Sequence, residues 1–299
     1  MREPELIRTV SDLTDRGTDC FKSRKEPQEL LLCSPDYYDV IDVKNPHMAG
    51  QIGKVNLELA QRQWKHLHET IEKLGYRVHL MKPLEGSEDM VFSANPVFVG
   101  QDLNGRRICL LSNMKFSSRE REVAAYEKWF ALRGYTIVRL SNLDWHFEGH
   151  GDALWHPGKR LIWGGYGYRS VPQVYTEISK VFSSPVILLE LCREHFYHLD
   201  TCLCPLSETE ALYFPEAFKP EGQALIRSLF PKVIAASEKE ALSGLACNAL
   251  VLGKKVIIQE GNSETNDALR ALGYEVFEVD TSEFIKSGGS VFCMKLLTY

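Results

Sequence analysis

Apolar and polar residues follow a pattern that repeats five times along this chain. In each instance an amphipathic helical segment, with apolar residues three and four apart, ends at a turn and leads into a short apolar strand. The predicted helices are residues 55–74, 119–132, 171–182, 221–230 and 264–272. The predicted strands lie within residues 73–81, 132–140, 182–190, 230–237 and 271–279. One supersecondary unit of about 45–60 residues, used five times, thus accounts for almost the whole chain.

Glycine marks the junction between helix and strand in three of these units. Gly75, Gly134 and Gly273 stand where a helix end favours a residue with positive φ. Because the five copies leave little remainder, the sequence predicts an α/β fold with one closed domain over residues 1–299. Residues 1–30 form an N-terminal extension to which no role is assigned.

Chemically reactive residues recur at a fixed distance from the start of the predicted strands. Thirteen residues separate Tyr76 from Asp89, Tyr135 from Glu148, and Pro185 from His198. The fourth and fifth units run longer and reach Asn248 and Cys293. Equivalent positions in a closed rotational repeat meet near its axis, so carboxylates, a histidine and a cysteine are expected in one central pocket.

Composition and charge narrow the class of protein. The net charge of -5 gives no reason to expect nucleic acid or an anionic membrane as a partner. No apolar run reaches the length of a membrane-spanning helix, and the acidic N-terminal segment lacks the apolar region of a secretory signal. Eight cysteines scattered over 299 residues do not form a disulfide framework. We therefore expect a reduced, soluble, cytoplasmic protein; the sequence leaves formation of a homo-oligomer open.

The segment SGGSVFCMKL, residues 287–296, contains the candidate nucleophile. Gly288 and Gly289 permit unusual backbone angles and a close approach of a ligand to the main chain near Cys293. A nucleophilic cysteine needs access and a neighbour that favours the thiolate. A buried structural cysteine is the alternative at this position.

Two further segments offer acid–base groups. In FYHLDTCL, residues 196–203, the alternation predicts a strand that projects His198 and Asp200 from one face. In FEGHGDAL, residues 147–154, Glu148 and Asp152 stand between glycines in a predicted strand. A zinc or iron site that also uses His150 and His156 is the alternative, although these spacings match no known ligand pattern. Cys202 and Cys204 likewise lack a partner pair for a metal, and we predict neither a metal nor a cofactor.

The remaining candidates suit the two ends of an amino acid. Asp89 and Asn95 are six residues apart in a predicted strand and would share a face. Arg169 follows a strand and can clamp a carboxylate, although an ordinary solvated arginine fits as well. Asn45 lies in a proline-bounded loop. Acids for a cation, an arginine for an anion and a Cys/His pair suit a zwitterion with a distal planar cation, such as arginine.

The chain resembles the guanidine-modifying enzymes, the superfamily that includes arginine deiminases, amidinotransferases, dimethylargininases and arginine dihydrolases. The resemblance extends from about Leu31 to Leu297, and five motifs in this order carry it: DMVFSAN, FEGHGDAL, YGYRS, HLDTCL and SGGSVFC. It implies a five-bladed α/β propeller of ββαβ modules, the pentein fold with pseudo-fivefold symmetry. The roles it implies are nucleophile for Cys293, general acid/base for His198, guanidinium contacts for Glu148 and Asp200, substrate binding for Asp89, the α-carboxylate contact for Arg169 and the amino-acid end for Asn45.

Two positions narrow the resemblance. Dimethylargininases usually lack an acid at the position of Asp200, and deiminases and amidinotransferases usually have aspartate where Asn95 stands. At both positions the chain is similar to arginine dihydrolases, which convert arginine to ornithine, ammonia and carbon dioxide. Phe292 and Lys115 stand where relatives tend to carry arginine.

The implied reaction is covalent. Cys293 attacks the guanidinium carbon, His198 protonates the leaving ammonia, and water hydrolyses the thiouronium intermediate. Asn95, which is neutral and can donate a hydrogen bond to a ureido oxygen, is the candidate for enabling a second attack. The alternatives are a deiminase, a dimethylarginine hydrolase, an amidinotransferase, a binding protein without turnover, and a metal-dependent hydrolase.

Overall fold

The computed structural model describes residues 5–13 and 20–299. Sixteen strands and eight helices alternate along the described chain. The strands are β1 (Leu6–Ile7), β2 (Glu29–Cys33), β3 (Arg77–Met81), β4 (Val97–Gln101), β5 (Arg107–Leu111), β6 (Thr136–Val138), β7 (Ala153–Trp155), β8 (Ile162–Tyr166), β9 (Val186–Glu190), β10 (Leu203–Pro205), β11 (Glu210–Tyr213), β12 (Lys232–Ala235), β13 (Leu250–Leu252), β14 (Lys255–Gln259), β15 (Glu275–Val279) and β16 (Lys295–Thr298). The helices are α1 (Leu57–Lys73), α2 (Glu120–Ala131), α3 (Gly149–Asp152), α4 (Val174–Phe182), α5 (Pro220–Leu229), α6 (Glu238–Ser243), α7 (Ser263–Ala271) and α8 (Ser282–Ile285).

The strands form five sheets that share one connectivity. In each sheet the first strand pairs antiparallel with the second, and the second pairs parallel with the third. The strand orders are β16–β2–β3, β4–β5–β6, β7–β8–β9, β10–β11–β12 and β13–β14–β15, and β1 adds to β9. A long helix, namely α1, α2, α4, α5 or α7, connects the second strand to the third. This is the ββαβ unit that the family resemblance implies, and it contains the helix and following strand that the repeat predicts.

The last strand of the chain completes the first unit. β16 pairs antiparallel with β2, with Lys295 opposite Leu32 and Thr298 opposite Glu29. Within the described residues the five sheets are separate and no sheet closes on itself. Rotation of the five units about a common axis therefore stays a prediction.

The predicted helices and strands form for the reasons that the sequence indicates. In α1 the apolar positions Trp64, Leu67 and Ile71 are buried, and the side chain of Asn56 caps the helix start by accepting from the amide of Leu59. Gly75, Gly134 and Gly273 have φ of +89°, +75° and +80°. Ser183 takes the equivalent place after α4 with φ of +49°.

Three strand predictions at reactive segments are wrong. Residues 88–95 form turns, with β4 beginning only at Val97, and residues 149–152 form the short helix α3. His198 precedes a 3₁₀ turn over Leu199–Thr201, so His198 and Asp200 do not share a strand face. Buried polar side chains hold these turns in place: the carboxylate of Asp152 accepts from the amide of Leu199 at 3.1 Å. Tertiary hydrogen bonds thus override a weak local alternation.

Two smaller features complete the fold. All eight cysteines are free, and six of them are buried. Among the described residues, no helix combines the length and hydropathy needed to span a bilayer.

Candidate active site

Turns that precede the first strand of each unit place the candidate side chains together. Asn95 lies just before β4, Glu148 before β7, Asp200 before β10, Asn248 before β13 and Cys293 before β16. Each of these side chains is buried. The five units thus contribute one segment each to a single cluster.

Cys293 is held between a carboxyl group and an amide. Its Sγ donates to Oδ2 of Asp200 at 3.1 Å, and Nδ2 of Asn248 donates to Sγ at 3.1 Å. Oδ1 of Asn248 accepts from the backbone amide of Cys293 at 3.2 Å, which fixes the main chain of this cysteine. Burial, together with the Asp200 carboxylate, raises the pKa of the Cys293 thiol well above its usual range. Without a cation beside it, Cys293 is a neutral thiol.

The turn before Cys293 requires glycine. A Cβ on Gly289 would lie 2.5 Å from the ring of Phe92 and 3.3 Å from Cβ of Cys293. Gly288 has φ of +76°, and a Cβ there would lie 2.9 Å from His47. The two glycines therefore let the chain pass close to the nucleophile, as their sequence context indicates.

Asp200 is a buried acid that can accept a further hydrogen bond. Burial raises its pKa to about 7, although the thiol of Cys293 partly offsets this by hydrogen bonding. Its Oδ1 has no hydrogen-bond partner within the described residues. A donor that entered the site could therefore bind Asp200 without displacing a protein contact.

His198, Glu148 and Arg169 form a second buried group. Oε2 of Glu148 lies 2.7 Å from Nε2 of His198 and 2.8 Å from Nη1 of Arg169. Burial would raise the pKa of Glu148, but Arg169 and then His198 outweigh it and hold that pKa well below the usual range. Glu148 is therefore an anion that orients both neighbours. No hydrogen bond joins His198 to Cys293 among residues 5–13 and 20–299.

Asp152 supports this group from behind. Its Oδ2 accepts from the hydroxyl of Ser170 at 2.6 Å, and Ser170 in turn accepts from the amide of Glu148. Burial raises the pKa of Asp152 to about 6. Asp152 thus holds the segments that carry Glu148 and His198.

A small cleft of about 20 Å³ lies beside the sulfur. Its lining includes Cys293, Asp89, Asn95 and Arg169. Neither carboxylate oxygen of Asp89 has a hydrogen-bond partner in the described chain, although Nζ of Lys44 lies 3.1 Å from Oδ2. Space of this size admits a single water-sized molecule. A ligand larger than water therefore enters only when lining side chains move.

Asn95 presents its amide nitrogen rather than its oxygen. Its Oδ1 accepts from Nη1 of Arg119 at 3.1 Å, whereas its Nδ2 has no partner within the described residues. Arg119 is itself buried and forms a two-hydrogen-bond pair with Glu122 at 3.0 and 2.8 Å. The arginine thereby fixes Asn95 as a hydrogen-bond donor.

Asn45 lies at the cleft but uses its own side chain for structure. Its Nδ2 donates to the carbonyl of Ser287 at 2.9 Å, and its Oδ1 accepts from the amide of His47 at 3.0 Å. The neighbouring Lys44 carbonyl accepts from Nη2 of Arg169 at 2.9 Å. Asn45 thus ties its loop to the glycine turn before Cys293.

Sequence reasoning missed three residues of the site. Asn248 was identified only as a repeat position, and Lys44 was passed over as the neighbour of Asn45. A second arginine lines the cleft beside Arg169, namely Arg119, four residues after Lys115, whose Nζ instead donates to the carbonyl of Tyr168 at 2.8 Å. The signal for Arg119 was the helix start it precedes, where α2 begins at Glu120.

His150 and His156 are bound to protein groups. Nε2 of His150 accepts from the amide of Val99 at 3.1 Å, and Nδ1 of His156 accepts from the indole of Trp163 at 3.2 Å. No group of three or more metal-binding side chains occurs in the described part of the chain. The His150 ring packs against Phe98, and the His156 ring stacks with Trp163 and Phe230.

Comparisons with known proteins agree with this geometry. The family model for "N,N dimethylarginine dimethylhydrolase, eukaryotic" matches residues 40–297. The bifunctional arginine dihydrolase/ornithine cyclodeaminase ArgZ of Synechocystis is 38% identical over 89% of this chain and 37% of its own length. The N(G),N(G)-dimethylarginine dimethylaminohydrolase of Mycobacterium tuberculosis is 36% identical over 92% of this chain and 87% of its own length.

A solved structure extends the comparison to three dimensions. The crystal structure of the N-terminal domain of ArgZ with bound substrate superimposes with a TM-score of 0.85 at 38% identity, covering 90% of this chain and 97% of that one. The chain spans just over a third of the length of the two bifunctional relatives that it matches. By the family match and the extent of these similarities, this chain is a member of the N,N-dimethylarginine dimethylhydrolase family.

Proposed function

We propose that this protein is a hydrolase that attacks the guanidinium carbon of arginine, or of a close analogue, through a covalent thiouronium intermediate on Cys293. We further propose that it acts as an arginine dihydrolase and releases ornithine, ammonia and carbon dioxide. Two of its relatives at 37–38% identity are bifunctional arginine dihydrolases by name, and another is a dimethylarginine hydrolase.

One observation carries the proposal. Asp89 and Asp200 are both buried at this site, and Oδ1 of each carboxylate makes no hydrogen bond within the described residues, whereas Oδ2 of Asp89 is ion-paired with Lys44 at 3.1 Å. A buried acceptor that makes no hydrogen bond is costly, so this pair of carboxylates is suited to a ligand that supplies hydrogen-bond donors. A guanidinium group brings five N–H donors and a positive charge in one plane.

The cation itself activates the nucleophile. Asp200 keeps Cys293 protonated in the free protein, since the carboxylate disfavours a second negative charge beside it. A guanidinium bound to Asp200 removes that repulsion and favours the thiolate. Sulfur then attacks a carbon held at contact distance, so positioning replaces intrinsic reactivity.

His198 completes the proton transfers. The thiolate adds to the guanidinium carbon, the amine leaves as ammonia with a proton from His198, and the thiouronium remains on Cys293. His198 then takes a proton from a water that attacks the same carbon, and the sulfur leaves. Glu148 holds the imidazole at 2.7 Å and so fixes its orientation.

Asn95 is suited to a second cycle of attack by Cys293, on the product of the first cycle. The first round gives a neutral ureido group, which needs a donor at its oxygen rather than a second carboxylate. The unpartnered Nδ2 of Asn95, fixed by Arg119, supplies that donor. Renewed attack by Cys293 then releases the second ammonia.

Two other lining residues, Arg169 and Asn45, suit the amino-acid group of the substrate. Lys44 occupies the position beside Asp89 in the closed cleft, and its three acidic neighbours, Asp89 first, raise its pKa although burial opposes this. Substrate entry therefore requires the loop that carries Lys44 and Asn45 to move.

The units are also proposed to surround one axis as a five-bladed propeller, forming a single catalytic domain. Pairing of β16 with β2 joins the two ends of the chain in one sheet. A cavity lined by the first strands of all five units supports the common axis. Eight free cysteines support a reducing, cytoplasmic location.

Product analysis tests the proposed function. Purified protein is incubated separately with arginine, dimethylarginine, agmatine and citrulline, and amino acids and ammonia are quantified. We expect two ammonia and one ornithine for each arginine. Citrulline as the sole product contradicts the dihydrolase step and leaves the nucleophile assignment intact.

The second candidate is a dimethylarginine hydrolase, which the family match and the 36% identical mycobacterial relative favour. Faster turnover of dimethylarginine than of arginine in the same panel establishes it. A protein that binds without turnover shows ligand binding but no thiouronium adduct on Cys293 by mass spectrometry.

A further inference from the structure

A second cavity, of about 610 Å³, lies at the other end of the strands that follow the active-site turns. The first strand of each unit contributes to it, namely Leu297 of β16, Val99 of β4, Leu154 of β7, Cys204 of β10 and Leu250 of β13. The Cys293 cleft and this cavity have no lining residue in common. Its volume is within the range of about 300–1,000 Å³ typical of small-molecule sites.

Most charged groups around this cavity are already paired. Arg24 contacts Glu26 at 2.7 Å, and Lys254 contacts the buried carboxylate of Glu210 at 3.0 Å. At the rim, Glu208 contacts Lys159 at 3.1 Å. Each acid in these three pairs already has a basic partner.

Lys295 is different because its ammonium group belongs to a buried residue and has no direct polar partner. The exposed fraction of Lys295 is 1%, and within the described residues Nζ forms neither a hydrogen bond nor an ion pair. Nζ lies 3.0 Å from the centroid of the Phe292 ring, and both residues line the cavity. The Asp200 carboxylate favours the charged form of Lys295 electrostatically, but no hydrogen bond or ion pair joins the two groups, and Asp200 instead accepts from Cys293.

Such an ammonium group is costly unless an anion accompanies it. Burial lowers the pKa of Lys295 to about 7, which expresses the same cost. The walls around it are apolar, with Val99, Leu154 and Leu250 among them. A fitting ligand would therefore pair one anionic group with an apolar body.

We propose that this cavity is a binding site for a small carboxylic acid with an apolar body, whose carboxylate pairs with Lys295. The site shares no lining residue with the Cys293 cleft, although Lys295 and Asp200 interact electrostatically between them, and its occupancy is tested without the proposed reaction. Neutral apolar molecules lack the group that compensates Lys295. A highly charged anion such as phosphate lacks the body that fills the apolar walls.

The test compares hexanoate with its neutral counterpart hexanamide by calorimetry and by the fluorescence of Trp155, which lines the cavity. In the parent protein we expect hexanoate to bind at least tenfold more tightly than hexanamide. Lys295→Met should abolish this preference and leave hexanamide binding unchanged. The matched control is Lys254→Met, a lysine at the same cavity that is already paired with Glu210 and should keep the preference.

Three outcomes overturn the proposal: equal affinity for the acid and the amide, a preference that survives in Lys295→Met, or binding of phosphate in place of hexanoate. Displacement of hexanoate by arginine in a Cys293→Ala background, where arginine is not consumed, also contradicts it by placing hexanoate in the other cleft. The comparison of acid with amide needs only the parent protein, so it remains decisive even if Lys295→Met does not fold.

Discussion

The thiol of Cys293 donates a hydrogen bond to the carboxylate of Asp200 at 3.1 Å, so the candidate nucleophile is held protonated by the group that is proposed to bind the substrate cation. In the proposed mechanism a guanidinium group binds the free Oδ1 of Asp200 and offsets the negative charge that disfavours the thiolate. Substrate binding and thiolate formation are then coupled, so the free protein keeps Cys293 in its less reactive form.

Replacement of Asp200 tests this relationship directly. Burial and then the charge of Asp200 raise the pKa of Cys293, so Asp200→Asn, which removes that charge, should lower the pH midpoint for alkylation of Cys293 without substrate. Turnover of arginine should fall at the same time, because a guanidinium contact is lost. Alkylation is followed by mass spectrometry of the peptide that contains Cys293. An unchanged or higher midpoint contradicts the proposed coupling.

Cys293→Ser should lower the turnover rate by about a thousandfold or more, since the hydroxyl is a far weaker nucleophile at neutral pH. Arginine binding, measured by calorimetry, should persist. The control is Cys192→Ser, which changes an exposed cysteine outside the cleft. If Cys293→Ser retained most of the activity, the nucleophile would be another residue.

Asn95→Asp should change the product rather than only the rate. A carboxylate at this position cannot donate to a ureido oxygen, so citrulline should accumulate from arginine while ornithine declines. Asn104→Asp makes the same chemical change at an exposed loop position and should leave the product ratio unaltered. Ornithine as the continuing main product of Asn95→Asp would show that the second round does not depend on Asn95.

Arg119 combines a structural and a functional contact, and a double variant separates them. Arg119→Met leaves the buried Glu122 without its partner and should lower the free energy of unfolding by about 3–5 kcal/mol. Arg119→Met with Glu122→Leu should recover most of this stability. Activity should stay low in both variants, because Asn95 loses the contact that orients it. Recovered activity in the double variant would reduce Arg119 to a structural role.

Lys295 predicts a pH dependence of stability. Burial lowers its pKa in the folded protein to about 7, whereas an unfolded chain has a lysine pKa of about 10.4. Between these values the unfolded state binds more protons, so this lysine makes stability rise as pH increases from about 7 to 10. Urea unfolding at pH 7 and pH 9 should show a larger increase for the parent than for Lys295→Met. Equal increases in stability for the two proteins would mean that the pKa of Lys295 is not lowered in the folded state.

The sequence alone determined the repeating unit and most of its elements. Apolar spacing predicted all five long helices and the strands that follow them, and glycine predicted the positive φ at Gly75, Gly134 and Gly273. These features depend on local periodicity and backbone sterics, which neighbouring residues largely decide. The motifs likewise predicted which segments carry reactive side chains.

Only the tertiary structure decided how those side chains are presented. The turns that hold Asp89, Glu148 and His198 were predicted as strands, because their geometry depends on partners far along the chain, such as Asp152 for the amide of Leu199. The pairing of Cys293 with Asp200 joins residues from two different units. The roles of Arg119 and Lys295 follow from burial and from what lies beside each charge, and a linear pattern contains neither quantity.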